Sequence, residues 1–125
     1  MIRRGKIFFL FLLFGVSILF SHASHASAAT IYVNSSTGND TTGAGSSGSP
    51  YATFHKGYTS ASAGDTLDLT GTFTWTDAAE SGDASGTGYT IGKNLTIQGQ
   101  GVSSTYIQAA SSENTADRGV FTISA

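Results

Sequence analysis

Apolar and polar residues alternate along this chain in short runs. Leu67-Asp68-Leu69, Leu95-Thr96-Ile97 and Phe121-Thr122-Ile123 each hold a polar residue between two apolar ones. Period-2 alternation is the pattern of a strand with one buried face. The three triplets are offset by 28 and 26 residues, an interval that suggests a repeated unit. Ile31-Tyr32-Val33, Thr72-Phe73-Thr74-Trp75, Tyr89-Thr90-Ile91 and Thr105-Tyr106-Ile107-Gln108 read as further short strands. Gly, Ser, Asn and Asp fill the stretches between them, and residues 34–49, 77–88 and 109–117 read as loops.

One segment has helical periodicity. Tyr51, Phe54, Tyr58 and Ala61 fall on a single helical face. Ser49 suits an N-cap and Pro50 the first helical position, and Ala63-Gly64 follows as a stop. The spacing therefore predicts an amphipathic helix running from Ser49 to Ala61.

Strands of three to five residues do not readily build a sandwich core. Stacked in parallel they do, with the apolar residues of each triplet inside and Asp68, Thr96 and Thr122 outside. The predicted class is all-β, a right-handed parallel β-helix or solenoid. The helix would cover the first coil, burying Tyr51, Phe54 and Tyr58 at about 1.5–3 kcal/mol each. The third triplet falls two residues before the last residue, so the pattern predicts an N-terminal fragment with further coils of the same chain downstream.

The first residues carry a different signal. Arg3, Arg4 and Lys6 precede an apolar run over residues 7–20, and small polar residues with Ala26-Ser27-Ala28 follow. This is the layout of a secretory signal peptide over residues 1–28, with cleavage between Ala28 and Ala29. Residues 29–125 then form the mature part, the cap and first two to three coils. Its destination is extracellular or the cell surface, without a membrane anchor after cleavage.

Removal of the leader changes the charge. The mature part keeps three basic residues, Lys56, Lys93 and Arg118, against eight acidic ones, a formal charge of −5. That opposes nucleic-acid binding, which needs clustered cations to displace counterions. The chain has no cysteine, so no disulfide supports it and the stability must come from backbone ladders and stacked side chains.

Candidate chemistry is sparse. Asp77, Glu80 and Asp83 are spaced carboxylates in one loop. A calcium site needs six to eight oxygen ligands, and a solvated acidic loop is the simpler reading. Asp65 suits a turn residue that binds backbone N–H groups. Lys93 and Arg118 are isolated cations expected on the surface. His55 has no second imidazole in the mature part, since His22 and His25 lie in the leader. Trp75 and Tyr89 suit either stacking on sugar rings or packing. Asn34, Asn39 and Asn94 begin glycosylation sequons of a kind expected by chance in a Ser/Thr-rich chain. No catalytic residue and no cofactor site is assigned.

Ile31-Tyr32-Val33-Asn34, Thr37-Gly38-Asn39-Asp40, Ser49-Pro50-Tyr51-Ala52-Thr53-Phe54, Ala63-Gly64-Asp65-Thr66-Leu67 and Asn94-Leu95-Thr96-Ile97-Gln98-Gly99 together resemble the N-terminal cap and first coils of pectin-lyase-like parallel β-helix proteins. The likeness covers nearly the whole mature part. One departure is Gly57, where the family's capping helix usually carries Ala. The resemblance implies a secreted protein that acts on or binds extracellular polysaccharide, as a polysaccharide lyase or glycoside hydrolase if it is an enzyme. It also implies catalytic residues on later coils and possible calcium in the full-length protein. A structural or adhesive cell-surface protein without activity shares the same sequence features, and fold-level likeness does not separate the two.

Overall fold

The computed structural model describes residues 27–80, 88–110 and 119–124. The first strand, β1 (Thr30–Asn34), is followed by a loop and helix α1 (Phe54–Ser60). Strand β2 (Thr66–Thr74) comes next, then a 3-10 turn at Ala78–Glu80. Four short strands complete the order: β3 (Tyr89–Ile91), β4 (Thr96–Gly99), β5 (Thr105–Gln108) and β6 (Phe121–Ile123).

Strand β2 organises the molecule. Its first half lies between β1 and β4, both parallel to it, and its second half pairs in parallel with β5. Gly71 divides the halves at φ 105°, a left-handed conformation that favours glycine. A Cβ there would also meet the Ser35 hydroxyl, so the bend has two reasons to keep glycine. Strands β3 and β6 form a separate parallel pair.

The all-β right-handed parallel β-helix expected from the triplets is overturned. The described residues form a small mixed α/β arrangement of six short strands in small parallel sheets beside one helix, without a solenoid. The strand pairing accounts for this. Leu67 faces Ile31 and Ile97, and Leu69 faces Val33 and Gly99. Leu95 lies outside the paired strand, and Phe121 and Ile123 join Tyr89 and Ile91 instead. The 28- and 26-residue offsets therefore do not mark equivalent positions. In a chain with 17 threonines among short apolar runs, a three-residue alternation recurs without a structural repeat.

Helix α1 is shorter than predicted. Thr53 is the N-cap, and its side chain accepts a hydrogen bond from Lys56 N. Ser49 and Pro50 belong to the preceding loop, and Tyr51 forms a parallel bridge with Val33. That bridge holds the Tyr51 backbone extended, so the helix begins three residues later. The helix ends at Ala61 (φ −76°), ahead of Gly64. Gly57 lies in the helix despite its low propensity. A Cβ at this position would stand 2.5 Å from Val33 Cγ2, so the close approach of α1 to β1 favours glycine here.

The core is aromatic at its centre. Phe54 is fully buried, and its ring lies 4.8 Å from Tyr89, 5.1 Å from Trp75 and 5.8 Å from Phe121. Leu67, Leu69, Val33, Phe73 and Ile91 complete the buried cluster. Offset and edge-to-face arrangements of this kind add to burial by about 0.5–1.5 kcal/mol per pair. Phe54 thus joins the helix to both sheet groups.

Candidate functional site

Two polar regions are candidates, one around the start of α1 and one on the outer face of the parallel sheet. At the helix, Glu80 is buried and spans 26 residues of sequence to reach its partners. Its Oε1 accepts from Phe54 N and its Oε2 from His55 N, both at 2.9 Å. Asp40 covers the adjacent turn, with Oδ1 accepting from Ala52 N at 2.7 Å and Thr53 N at 3.1 Å, and Oδ2 from the Thr53 hydroxyl at 2.7 Å. His55 Nδ1 lies 2.8 Å from Tyr89 Oη.

The electrostatics are those of a structural clamp. Burial pushes the Glu80 carboxyl up, its two backbone donors oppose this, and the Asp40 and Asp77 charges add to the rise. Burial also raises the Tyr89 phenol, with the charge of Glu80 contributing, so the phenol stays neutral near pH 7. Every oxygen of Glu80 and Asp40 already has a backbone or hydroxyl donor. These carboxylates hold the helix in place.

This corrects the solvated-loop reading of Glu80. Its side chain turns inward because the first N–H groups of a helix have no intrahelical partner, and a carboxylate satisfies two of them. Asp77 remains exposed, whereas Asp83 lies outside the described residues. Among the described residues, no group of three or more His, Cys, Asp or Glu side chains is gathered in a way that would hold a metal ion.

Other candidates separate. Asp65 accepts from Ser62 N through Oδ2, as a turn residue, and from Ala29 N through Oδ1. Lys93 is half-buried rather than a free surface cation. Its Nζ donates to the carbonyls of Tyr58 and Ala61 at 2.8 and 2.9 Å and lies 4.5 Å from the centre of the Tyr58 ring. Cations at the last carbonyls of a helix are favourable. Arg118 lies outside the described residues. Trp75 and Tyr89 are 2 % and 3 % exposed, so both pack in the core and neither forms a sugar-stacking platform. Trp75 Nε1 donates to Val120 O and ties the second sheet to the first. The side chains of Asn34 and Asn39 accept from backbone N–H groups two and three residues ahead, as turn residues do.

The sheet face is open. Its lateral rows are Thr30, Thr66 and Thr96, then Tyr32, Asp68 and Gln98. These residues alternate with the buried Leu67 and Leu69 and therefore point away from the core. Gln100 Nε2 donates to Asp68 Oδ1 at 2.7 Å. On the neighbouring sheet Thr72 faces Tyr106, which is 52 % exposed. Sequence reading placed Asp68 and Thr96 outside but missed Tyr32 and Gln98 as their neighbours, because register fixes that row and triplet spacing does not.

A shallow apolar recess lies among β2, β4 and β5, lined by Leu69, Ile97, Val102 and Ile107 among others. Among the described residues, no helix is long and apolar enough to cross a membrane. Comparison of the chain with protein-family models, curated proteins and solved structures finds no match.

Proposed function

We propose that the chain is secreted and binds extracellular polysaccharide through the outer face of its parallel sheet. The row of Tyr32, Asp68 and Gln98 carries this reading. It offers phenol, carboxylate and amide groups side by side, with threonine hydroxyls in the next row. Adjacent strands stand about 4.8 Å apart. Such a ladder suits an extended ligand with hydroxyls at regular intervals. Bidentate acceptors and mixed donors favour a hydroxyl-rich partner over an apolar one. The leader-like residues 1–28 and the acidic mature charge agree with an extracellular site and oppose a nucleic-acid partner.

Affinity electrophoresis and calorimetry with a panel of soluble polysaccharides test this. Asp68→Ala and Tyr32→Ala are each expected to weaken binding by at least about tenfold while leaving the fold intact. Equal binding by the parent and both variants would refute the assignment of this face.

A second reading is a structural or adhesive surface protein. It is favoured by β4 and β5, whose sequences TIQG and TYIQ contain neither charge nor proline. Such strands lack the usual devices that stop edges from pairing with other chains. Self-association without any affinity for polysaccharide would favour this reading.

A further inference from the structure

Asp65 is buried, 7 % exposed, and its carboxylate is divided between two backbone donors. Oδ2 accepts from Ser62 N at 2.7 Å and closes the turn ahead of β2. Oδ1 accepts from Ala29 N at 2.8 Å, across 36 residues of sequence. The carbonyl of Ala29 accepts in turn from Thr66 N at 2.8 Å. Ala29 is therefore held on both its polar groups, one residue before β1 begins at Thr30. The leader pattern places cleavage at this same residue, on its N-terminal side.

We propose that Asp65 is the receiving site for the N-terminus created by leader removal, so that cleavage after Ala28 turns the part-buried Ala29–Asp65 hydrogen bond into an ion pair. The C–N bond between Ala28 and Ala29 breaks. Water supplies hydroxyl to the Ala28 carbonyl carbon and a proton to the Ala29 nitrogen. That nitrogen takes one more proton from solvent and becomes an α-ammonium. The atom that donated to the carboxylate as a neutral amide then donates as a cation, so attraction between opposite charges is added to the hydrogen bond.

The surroundings suit this exchange. The N–H groups of Ala29 and Ser62 hold the Asp65 carboxyl below its ordinary value, and the Lys93 ammonium adds to this. Asp65 is thus ionised wherever an α-amine titrates. Lys93 is the charged side chain that faces it, and its Nζ is bound to the Tyr58 and Ala61 carbonyls. Cleavage elsewhere would not produce the same result. A start at Ser27 would leave Ala29 N an amide, and a start at Thr30 would remove the donor. Processing and the docking of β1 against β2 are therefore coupled through one atom.

The test begins with the full precursor, expressed in a secreting bacterial host. N-terminal sequencing of the exported product should find Ala29 first. The α-amine, titrated by NMR or by pH-dependent acylation, should have its pKa at least about one unit above the usual 7.7–8.0, a tenfold change in the ammonium-to-amine ratio. Asp65→Asn should return it to the usual range. Selective acetylation of the amine should lower the thermal midpoint near neutral pH. A raised pKa stabilises fully below the unfolded value and ceases to do so above the folded one, so this difference should vanish as pH rises through the shifted pKa. If Asp65→Asn fails to fold, the titration and the acetylated protein decide. A product that starts at another residue, or an amine that titrates in the usual range, overturns the proposal.

Discussion

The two outer edges of the parallel sheet are finished in different ways. On one side, the loop after β1 returns along it. Tyr32 N donates to Gly45 O, Tyr51 N to Tyr32 O and Asn34 N to Tyr51 O, at 2.8–3.0 Å. Asp40 and Glu80 then satisfy the first N–H groups of α1. On the other side, β4 and β5 pair with β2 alone among the described residues. Val102 is 88 % exposed there, and Ile97 and Ile107 are only partly buried. Both sides contain strands of similar composition. Among the described residues, loop backbone pairs along the outer strand on the first side only.

The largest expected effect that tests this contrast is at the aromatic centre. Phe54→Ala should cost about 3–5 kcal/mol in denaturant unfolding, since it removes the ring that joins α1 to both sheet groups. Ile97→Ala, on the open side, should cost clearly less because its side chain is partly exposed already. Equal losses at the two positions would mean that the open edge is covered in solution.

Gly57→Ala sharpens the comparison at the next level. On helix propensity alone it should stabilise by up to about 1 kcal/mol. The contact with Val33 predicts the opposite, a loss of about 1–3 kcal/mol from overpacking. Val33→Ala in the same chain should reverse part of that loss, as a double-mutant cycle would show. A stabilised single variant would show that α1 can move away from β1.

The smallest effect is in the pH dependence. Burial raises the Glu80 carboxyl above 4.5, so its contribution is complete below that value and falls as pH rises through the folded value. Asp65 is lowered below 3.8, so its contribution is complete above that value and falls as pH drops through the folded one. The stability profile should therefore slope in opposite directions on either side of about pH 4. Glu80→Gln should remove the downward slope above pH 4.5 and leave the acid limb in place. An unchanged slope would show that Glu80 is solvated.

The part of this structure that was legible in the sequence is local. Every predicted strand has an observed counterpart, because alternation of apolar and polar residues is a property of the strand itself. Register was not legible. The triplets look equivalent in sequence, yet β2 is nine residues long and uses two separate segments to pair with β4 and β5. Ser49-Pro50 has the composition of a helix start, but a tertiary bridge at Tyr51 overrides it. Glu80 gave no signal because its partners are backbone N–H groups that could belong to any residue. Asp65 was legible as a turn residue, and its second partner, Ala29, was hidden by a separation of 36 residues. The outer row of Tyr32, Asp68 and Gln98 was half visible, since alternation assigns a face but not a neighbour.

Trp75 has a consequence of a different kind. It is the chain's single tryptophan, buried among Phe54, Tyr89 and Phe121. Its indole N–H is bound to the carbonyl of Val120, next to β6. Indole emission shifts to longer wavelength when the ring meets water and responds to loss of its hydrogen bond. The molecule therefore contains one built-in fluorescent probe at the junction of its two sheet groups. Its colour reports whether β3 and β6 separate from β2 before the rest unfolds or together with it.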